Sequence, residues 1–487
     1  MAKTILELFE GISCSIEGGN TAIGGIAIDS RTVRPGDLFF AYKGETHDGR
    51  AFIGEAISKK VAAVCTDTEA DLPDTGETTF VRVEDVRRAL AKAAARFWDH
   101  PSRELRLIGI TGTNGKTTTA FFLKHIFSEN GIVSGLIGTV RNEIGKTIIP
   151  AGLTTPEPNI INALLSRMKD SGAEAAVLEV SSQGIDRGRV DELMFSQAVF
   201  TNLSGEHLDY HGTMEEYFAA KRSLFERLPE SCPSVVNTDD QYGKIIEKEF
   251  SDVHGVSMKG SAYLTGMPVS VSPEGTVLNI TCGGMKAEVT MPRPGVHNCM
   301  NFLLAACSAL VYGLDFSSVM NTVSTLPSVP GRFEPVECGQ KFRVYVDYAH
   351  TDNALANVLK GLREIIQGRI ITVFGAGGDR DRLKRPRMGK TACDLSDVVI
   401  ITNDNPRTEN PKRIISDIQK GTDGREWAVI PDRRKAIEAA LEEACGDDAV
   451  LIAGKGHEDY QIIGTKKHHF SDKEVAQRYL SRKAVTQ

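Results

Sequence analysis

A three-domain α/β protein is what three features of this 487-residue chain predict. Its length exceeds what one hydrophobic core usually serves, about 150 residues being a common domain size. Short apolar strands alternate with helical patterns over most of it, the rhythm of sheets wrapped by helices. Two punctuated stretches, Trp98-Asp99-His100-Pro101-Ser102 and Pro327-Ser328-Val329-Pro330-Gly331-Arg332, divide it into residues 1–102, 103–331 and 332–487.

In the first part, strands are expected over 26–29, 37–41, 62–65 and 80–83, with helices over 51–60 and 86–97, which makes a small N-terminal α/β domain. The middle part alternates strands at 105–110, 175–180, 197–202 and 234–237 with helices at 117–130, 159–171 and 214–228. This order predicts a mostly parallel sheet. Near its end, 276–281 and 285–291 alternate around Gly283-Gly284 and read as a hairpin. The last part repeats the α/β rhythm, with strands at 343–346, 370–374, 398–402 and 450–453, and reads as a Rossmann-like C-terminal domain. In open α/β sheets ligands collect at the carboxyl ends of strands, and each motif below falls at such an end.

Composition excludes several classes. Apolar residues make up 41% and charged residues 25%, ordinary for a globular protein. The longest nearly apolar run, 302–314, has 13 residues, short of the ~20 a spanning helix needs. The N-terminus lacks the apolar core of a signal peptide, so a cytoplasmic protein without membrane insertion is expected. A net charge of −7, from 64 acids and 57 bases, offers no global basic field for nucleic acid. Nine scattered cysteines without a C-x-x-C pair suggest reduced thiols and no structural zinc site.

The run Gly112-Thr113-Asn114-Gly115-Lys116-Thr117-Thr118 lies between the 105–110 strand and the 117–130 helix. Glycines let backbone N–H groups converge on an anion while the helix points its positive end at it. Lys116 is then placed to neutralise phosphate oxygens, and the Thr117 hydroxyl to meet Mg²⁺. The strict phosphate-loop pattern is incomplete, because Ile110 stands where its first glycine belongs. The strand before and the apolar helix after supply the context, and the middle domain is read as P-loop ATPase-like, with ATP or a relative bound.

Glu179 closes an apolar strand in the same domain, where a nucleotide-binding sheet places a Mg²⁺ ligand; a solvated strand-end acid is the plain alternative. His207, in His207-Leu208-Asp209-Tyr210-His211, could complete a second metal site. Lys221 falls inside the apolar stripe of Tyr217, Phe218, Leu224 and Phe225. Either its stem snorkels with the head in water, or the amine is chemically altered, as by carbamylation with CO₂ into an oxygen ligand. In the last domain, Arg380 follows Gly377-Gly378-Asp379. Asp404-Asn405-Pro406-Arg407 follows the next strand, and Gly454-Lys455-Gly456-His457-Glu458 another. The three loops are expected to converge and offer guanidiniums, an amide and acids to a zwitterionic small molecule.

Together these motifs resemble the Mur ligases over essentially the whole chain. Further carriers are Asp29-Ser30-Arg31, Thr154-Thr155-Pro156, Glu179-Val180-Ser181-Ser182, His297-Asn298, Gly331-Arg332-Phe333-Glu334 and Asp347-Tyr348-Ala349-His350. The resemblance implies that the N-terminal domain binds a UDP-muropeptide, the central domain ATP and the C-terminal domain an amino acid. Ile28, Ser30, Thr154, Thr155, Ser181, Arg187 and Arg189 would hold UDP-MurNAc-L-Ala-D-Glu. Lys116, Thr117, Glu179, His207 and carbamylated Lys221 would organise ATP and Mg²⁺, Thr117 and the last three as metal ligands and Lys116 with the last three as the catalytic set. Asn298, Arg332 and Asp347 would hold the adenosine side. Arg380, Asp404, Asn405, Pro406, Arg407, Gly454 and Glu458 would bind meso-diaminopimelate. The implied reaction is ATP-dependent amide ligation through an acyl phosphate in peptidoglycan precursor synthesis, by a monomer.

Three positions depart from the family pattern: Gln183 where histidine is usual, Arg187 where glutamine is common, and Asp352-Asn353 in place of proline-aspartate. The first two concern muropeptide contacts. Two other readings stay open: a related ligase using L-lysine or another acceptor, and a nucleotide-gated binding protein without ligation.

Overall fold

The computed structural model describes residues 3–44, 47–70, 72, 78–206, 208–422 and 427–486. The chain divides into two compact units: Met1–Thr111, Gly131–Val199 and Phe218–Ser234 form the first, and Gly112–Asn130, Phe200–Tyr217 and Val235–Gln487 the second.

The first unit begins with a five-stranded sheet in the order Cys14–Glu17, Thr79–Val83, Ala63–Asp67, Asp37–Ala41, Gly25–Ala27. Its first strand runs antiparallel to Thr79–Val83 and the rest are parallel. Asp37–Ala41 is buried along its whole length, as a central parallel strand requires. The helix Val86–Phe97 forms as expected, its N-terminus capped by the Asp85 carboxylate accepting from two backbone N–H groups. The helix expected over 51–60 is instead a 3₁₀ turn, Gly49–Phe52, followed by the short helix Ile53–Ser58. Asp48 accepts from the Arg50 N–H and starts the tighter turn two residues early.

The same unit places Ala175–Glu179 between Ser134–Ile137 and Arg106–Thr111, parallel to both. The antiparallel strands Arg141–Ile144 and Thr147–Pro150 extend this array as a hairpin that the sequence pattern did not announce.

In the second unit the helix Lys116–Glu129 follows the glycine run and packs against the helix Val296–Tyr312. The expected hairpin is Gly275–Cys282 paired with Met285–Met291. A six-stranded sheet has the order Glu334–Pro335, Arg343–Asp347, Ala449–Ala453, Ile370–Phe374, Val398–Ile401, Trp427–Val429, parallel except for its first strand. Apolar helices cover both of its faces. The loops after Arg343–Asp347, Ile370–Phe374, Val398–Ile401 and Ala449–Ala453 therefore leave from one edge, and they carry the motifs of the last domain.

Among the described residues no helix is long and apolar enough to cross a membrane, and no disulfide joins the cysteines.

Candidate active site

The glycine run of the second unit is a tight loop held from behind. Gly112 has φ of +145°, and a Cβ there would stand 1.9 Å from Thr201 Oγ1 and 3.0 Å from the Asn202 carbonyl. The Thr113 N–H donates to the Asn202 carbonyl at 2.8 Å, and the Asn114 N–H to Asn202 Oδ1 at 3.0 Å. Thr201 Oγ1 donates to the Asn114 carbonyl at 2.6 Å, and the Thr113 and Tyr217 hydroxyls lie 3.1 Å apart. Thr201, Asn202 and Tyr217 thus shape the loop from elements distant in sequence, which is why local pattern missed them. Gly115 caps the helix with φ of +87°, its missing Cβ leaving room for Asn301 Oδ1.

The Lys116 ammonium donates to the Gly112 and Thr113 carbonyls, both at 2.8 Å, and so arches over its own loop. Thr117 and Thr118 are buried. Arg332 Nη2 reaches Thr117 Oγ1 at 3.4 Å while its guanidinium lies 4.7 Å over the Tyr348 ring. Asp347, buried at the end of its strand, accepts from the Phe333 N–H at 2.6 Å and the Ala349 N–H at 2.7 Å. Burial pushes its carboxyl above the ordinary range against the opposing Arg332 charge. Asn298 sits in the first turn of its helix and donates to the Pro294 carbonyl at 2.9 Å. The loop, Arg332 and Asp347 are linked in this way; Asn298 lies on the helix that packs behind the loop helix.

We expect Gly112→Ala to abolish nucleotide binding. Strain at positive φ costs ~1–3 kcal/mol before any collision with Asn202 is counted. A scan of thermal midpoint with and without Mg-ATP checks this; nucleotide-induced stabilisation equal to wild type contradicts it.

In the first unit Glu179 is fully buried at its strand end, so the solvated-acid alternative fails. One carboxylate oxygen accepts from the Thr139 N–H and the other from the Thr139 hydroxyl, both at 2.9 Å. A Cβ on Gly138 would lie 2.1 Å from Glu179 Oε1, so glycine makes room for the carboxylate. Thr154 Oγ1 is 3.0 Å from Thr139 Oγ1. Thr155 Oγ1 donates to the Glu179 carbonyl at 2.8 Å and accepts from the Ser181 N–H at 2.9 Å. Ser181 in turn caps the helix Ser182–Asp186. Arg189 donates to the Thr155 carbonyl at 2.9 Å and pairs with Glu157 at 2.6 Å. Glu179, Thr154, Thr155, Ser181 and Arg189 therefore form one bonded cluster.

Beside it, a cavity of about 130 Å³ is lined by Tyr42, Gly44, Arg87, Glu157, Arg187 and Arg189. Arg187, one of the departures from the family pattern, points its chemistry here. Ser30 instead donates to Glu55 at 2.9 Å, and Ile28 packs against the N-terminal core. Lys221 is 1% exposed, which rules out a snorkelling head in water. His207 lies outside the described residues.

The three loops of the last domain do converge. Asn405 Nδ2 donates to Glu458 Oε2 at 2.8 Å, and Arg407 Nη1 to the Gly378 carbonyl at 2.6 Å. The Gly378 N–H donates to the Asn405 carbonyl at 2.9 Å, and Pro406 follows directly. A Cβ on Gly377 would touch both Arg407 and Arg380 side chains, at 3.2 and 3.7 Å. A Cβ on Gly454 would be 3.1 Å from Asp404 Oδ2. Burial raises the Asp404 carboxyl pKa, but the Lys455 and Arg433 charges outweigh it and hold the group below its ordinary value. Lys455, quoted in its motif but given no role from sequence, bonds Asp404, Asn405 and Glu458.

Profiles of three Mur ligase regions match the chain: the catalytic domain of the Mur ligase family at residues 22–98, the Mur ligase middle domain at 110–309, and the glutamate ligase domain at 331–456. The chain belongs to the Mur ligase family, and its fold is the three-domain α/β fold of that family. It is 42% identical to the UDP-N-acetylmuramoyl-L-alanyl-D-glutamate–2,6-diaminopimelate ligase of Caldanaerobacter subterraneus subsp. tengcongensis, over 98% of this chain and 99% of that one. A Clostridium acetobutylicum ligase of the same name is 40% identical over 95% of each chain. A solved structure of a ligase so named superposes with a TM-score of 0.68 at 31% identity, over 99% of this chain and 100% of that one. A MurF ligase from Thermotoga maritima in complex with ADP shares the fold, at 18% identity and a TM-score of 0.67, over 95% and 98%.

Proposed function

We infer that the protein is an ATP-dependent ligase that joins meso-diaminopimelate to UDP-MurNAc-L-Ala-D-Glu in the cytoplasm, with domains at 1–102, 103–331 and 332–487. Near-full-length identity of about 40% to ligases so named supports the reaction. The observation that carries it in the molecule itself is the convergence of Arg380, Asp404, Asn405, Arg407 and Glu458, which matches the charges of a zwitterionic amino acid.

A free carboxylate is a poor electrophile. The γ-phosphoryl group of ATP is therefore transferred to the D-glutamyl γ-carboxylate, giving an acyl phosphate and ADP. The amino group of diaminopimelate attacks the acyl carbon, and the C–O bond to phosphate breaks as the amide forms. No protein nucleophile is needed, so positioning and charge neutralisation supply the catalysis. Lys116 is read as the cation on the transferring phosphoryl group, its two carbonyl bonds exchanged for phosphate oxygens. Thr154, Thr155, Ser181, Arg187 and Arg189 are read as muropeptide contacts, with Ile28 and Ser30 toward the UDP end. Arg332, Asn298 and Asp347 are read as the adenosine side.

The buried, hydrogen-bonded carboxylate of Glu179 suits a hard oxygen-seeking cation. Thr117, Glu179, His207 and a carbamate on Lys221 are each read as a Mg²⁺ ligand, and the ion would supply charge neutralisation at the phosphates. Lys221 is 1% exposed on its helix, and a carbamate on its amine would offer an oxygen ligand there. With ¹³C-bicarbonate, the protein is expected to show a carbamate carbon resonance that Lys221→Ala lacks; an identical spectrum from both contradicts the modification.

Mass spectrometry of the muropeptide product after incubation with ATP, Mg²⁺ and meso-diaminopimelate tests the reading. A mass gain of one diaminopimelate less one water is the expected result, and unchanged muropeptide would overturn it.

A further inference from the structure

We propose that Lys455 is the positioning residue of the amino-acid site, its ammonium fixing Asp404, Asn405 and Glu458 in the arrangement that receives an amino group of the incoming amino acid. The proposal rests on reading the loops at 404–407 and 454–458 as that site.

Lys455 is completely buried. A lysine ammonium has three N–H bonds and no acceptor, and this one has three acceptors within reach. They are Asn405 Oδ1 at 3.1 Å, Glu458 Oε2 at 3.2 Å and Asp404 Oδ1 at 3.4 Å. Each of the three residues is tied a second time. Asn405 Oδ1 also accepts from the Ile462 N–H at 2.9 Å, and its Nδ2 donates to Glu458. The Asp404 carbonyl accepts from Gln461 at 2.6 Å. The Tyr460 ring covers the ammonium at 5.6 Å.

Charge balance explains why a cation stands here. Two carboxylates packed together repel, and a positive charge between them offsets that repulsion. Lys455 keeps both available, and the trio retains one negative charge, the complement of a single substrate ammonium. Arg433 does not serve in its place. It is buried and paired twice with Asp472 at 2.7 Å, and its other bonds run to backbone carbonyls of Ala453 and Asn403. Arg433 thus holds the strand ends, while Lys455 sets the side chains above them.

Lys455→Met keeps the length and apolar stem and removes the charge; Lys455→Gln keeps a short donor and carries the test if the first variant is insoluble. The measurement is full steady-state kinetics of wild type and variants with all three substrates. We expect KM for meso-diaminopimelate to rise at least ~30-fold in Lys455→Met, with KM for ATP and for the muropeptide within about 2-fold of wild type. Lys455→Gln should fall between. Equal rises in all three KM values indicate a merely structural lysine and overturn the proposal, as does an unchanged KM for diaminopimelate. A wild-type protein that makes no tripeptide fails earlier, on the reaction itself.

Discussion

Lys116→Ala is expected to lower turnover by at least ~10²–10³-fold, the usual loss for one donor aimed at transition-state charge. The ammonium is pre-positioned: it is held 2.8 Å from two carbonyls of the loop it must serve. In the loop helix, Thr117 is met by Arg332, which shows that a second cation reaches the same helix N-terminus. Because Arg332 remains in the variant, ATP should still bind, and the loss should fall on kcat more than on KM. Single-turnover ADP formation checks this directly. Near-normal ADP formation would remove Lys116 from the chemistry.

Arg407→Ala should largely abolish use of meso-diaminopimelate. The distal carboxylate of that substrate is what L-lysine lacks, and sites built to bond a group reject analogues without it by up to about 10⁴-fold. The position is constrained for this task. Arg407 has φ of +52°, its N–H donates to the Ile462 carbonyl at 3.1 Å and its carbonyl accepts from the Gly464 N–H at 2.8 Å. With backbone fixed on both sides, the side chain crosses to the Gly378 carbonyl beside Arg380. Alanine removes the planar donor fork and leaves the neighbouring loop without its cross-link, so both affinity and loop order fall. Comparing kcat/KM for diaminopimelate and lysine in wild type and variant is the check. Loss of discrimination is the expected result, and a preference for diaminopimelate kept intact in Arg407→Ala contradicts the assignment.

The parts of this site written into contiguous residues were legible from sequence. The glycine run between an apolar strand and an apolar helix is one such part, and the carboxyl end of Ala175–Glu179 is another. Strands buried along their whole length read as nearly unbroken apolar runs, so Asp37–Ala41, Ile370–Phe374 and Ser234–Asn237 were found with their observed ends. The hairpin Arg141–Ile144 and Thr147–Pro150 was not, because its strands are four residues each, do not alternate cleanly and carry Arg, Asn, Glu and Pro beside their β-branched residues. Burial decided what periodicity left open at Glu179 and Lys221. Contacts between distant segments stayed hidden: Thr201, Asn202 and Tyr217 behind the phosphate loop, and Lys455 among three acceptors on two loops. Lys455 sits in a Gly-Lys-Gly run that reads as an ordinary turn until the folded sheet brings the loop after Val398–Ile401, with Asp404, beside it. The departure at Asp352-Asn353 also finds its place. Thr351 caps the helix Asp352–Ile365 without a proline, and Asp352 pairs with Arg387 at 3.1 Å.

Phosphate release by the purified protein with Mg-ATP and UDP-MurNAc-L-Ala-D-Glu, compared across meso-diaminopimelate, L-lysine and no amino acid, tests the central claim most directly. Release with diaminopimelate alone, accompanied by the tripeptide product, is the predicted result. Release that is equal with lysine, or that needs no amino acid and yields no amide, would contradict it.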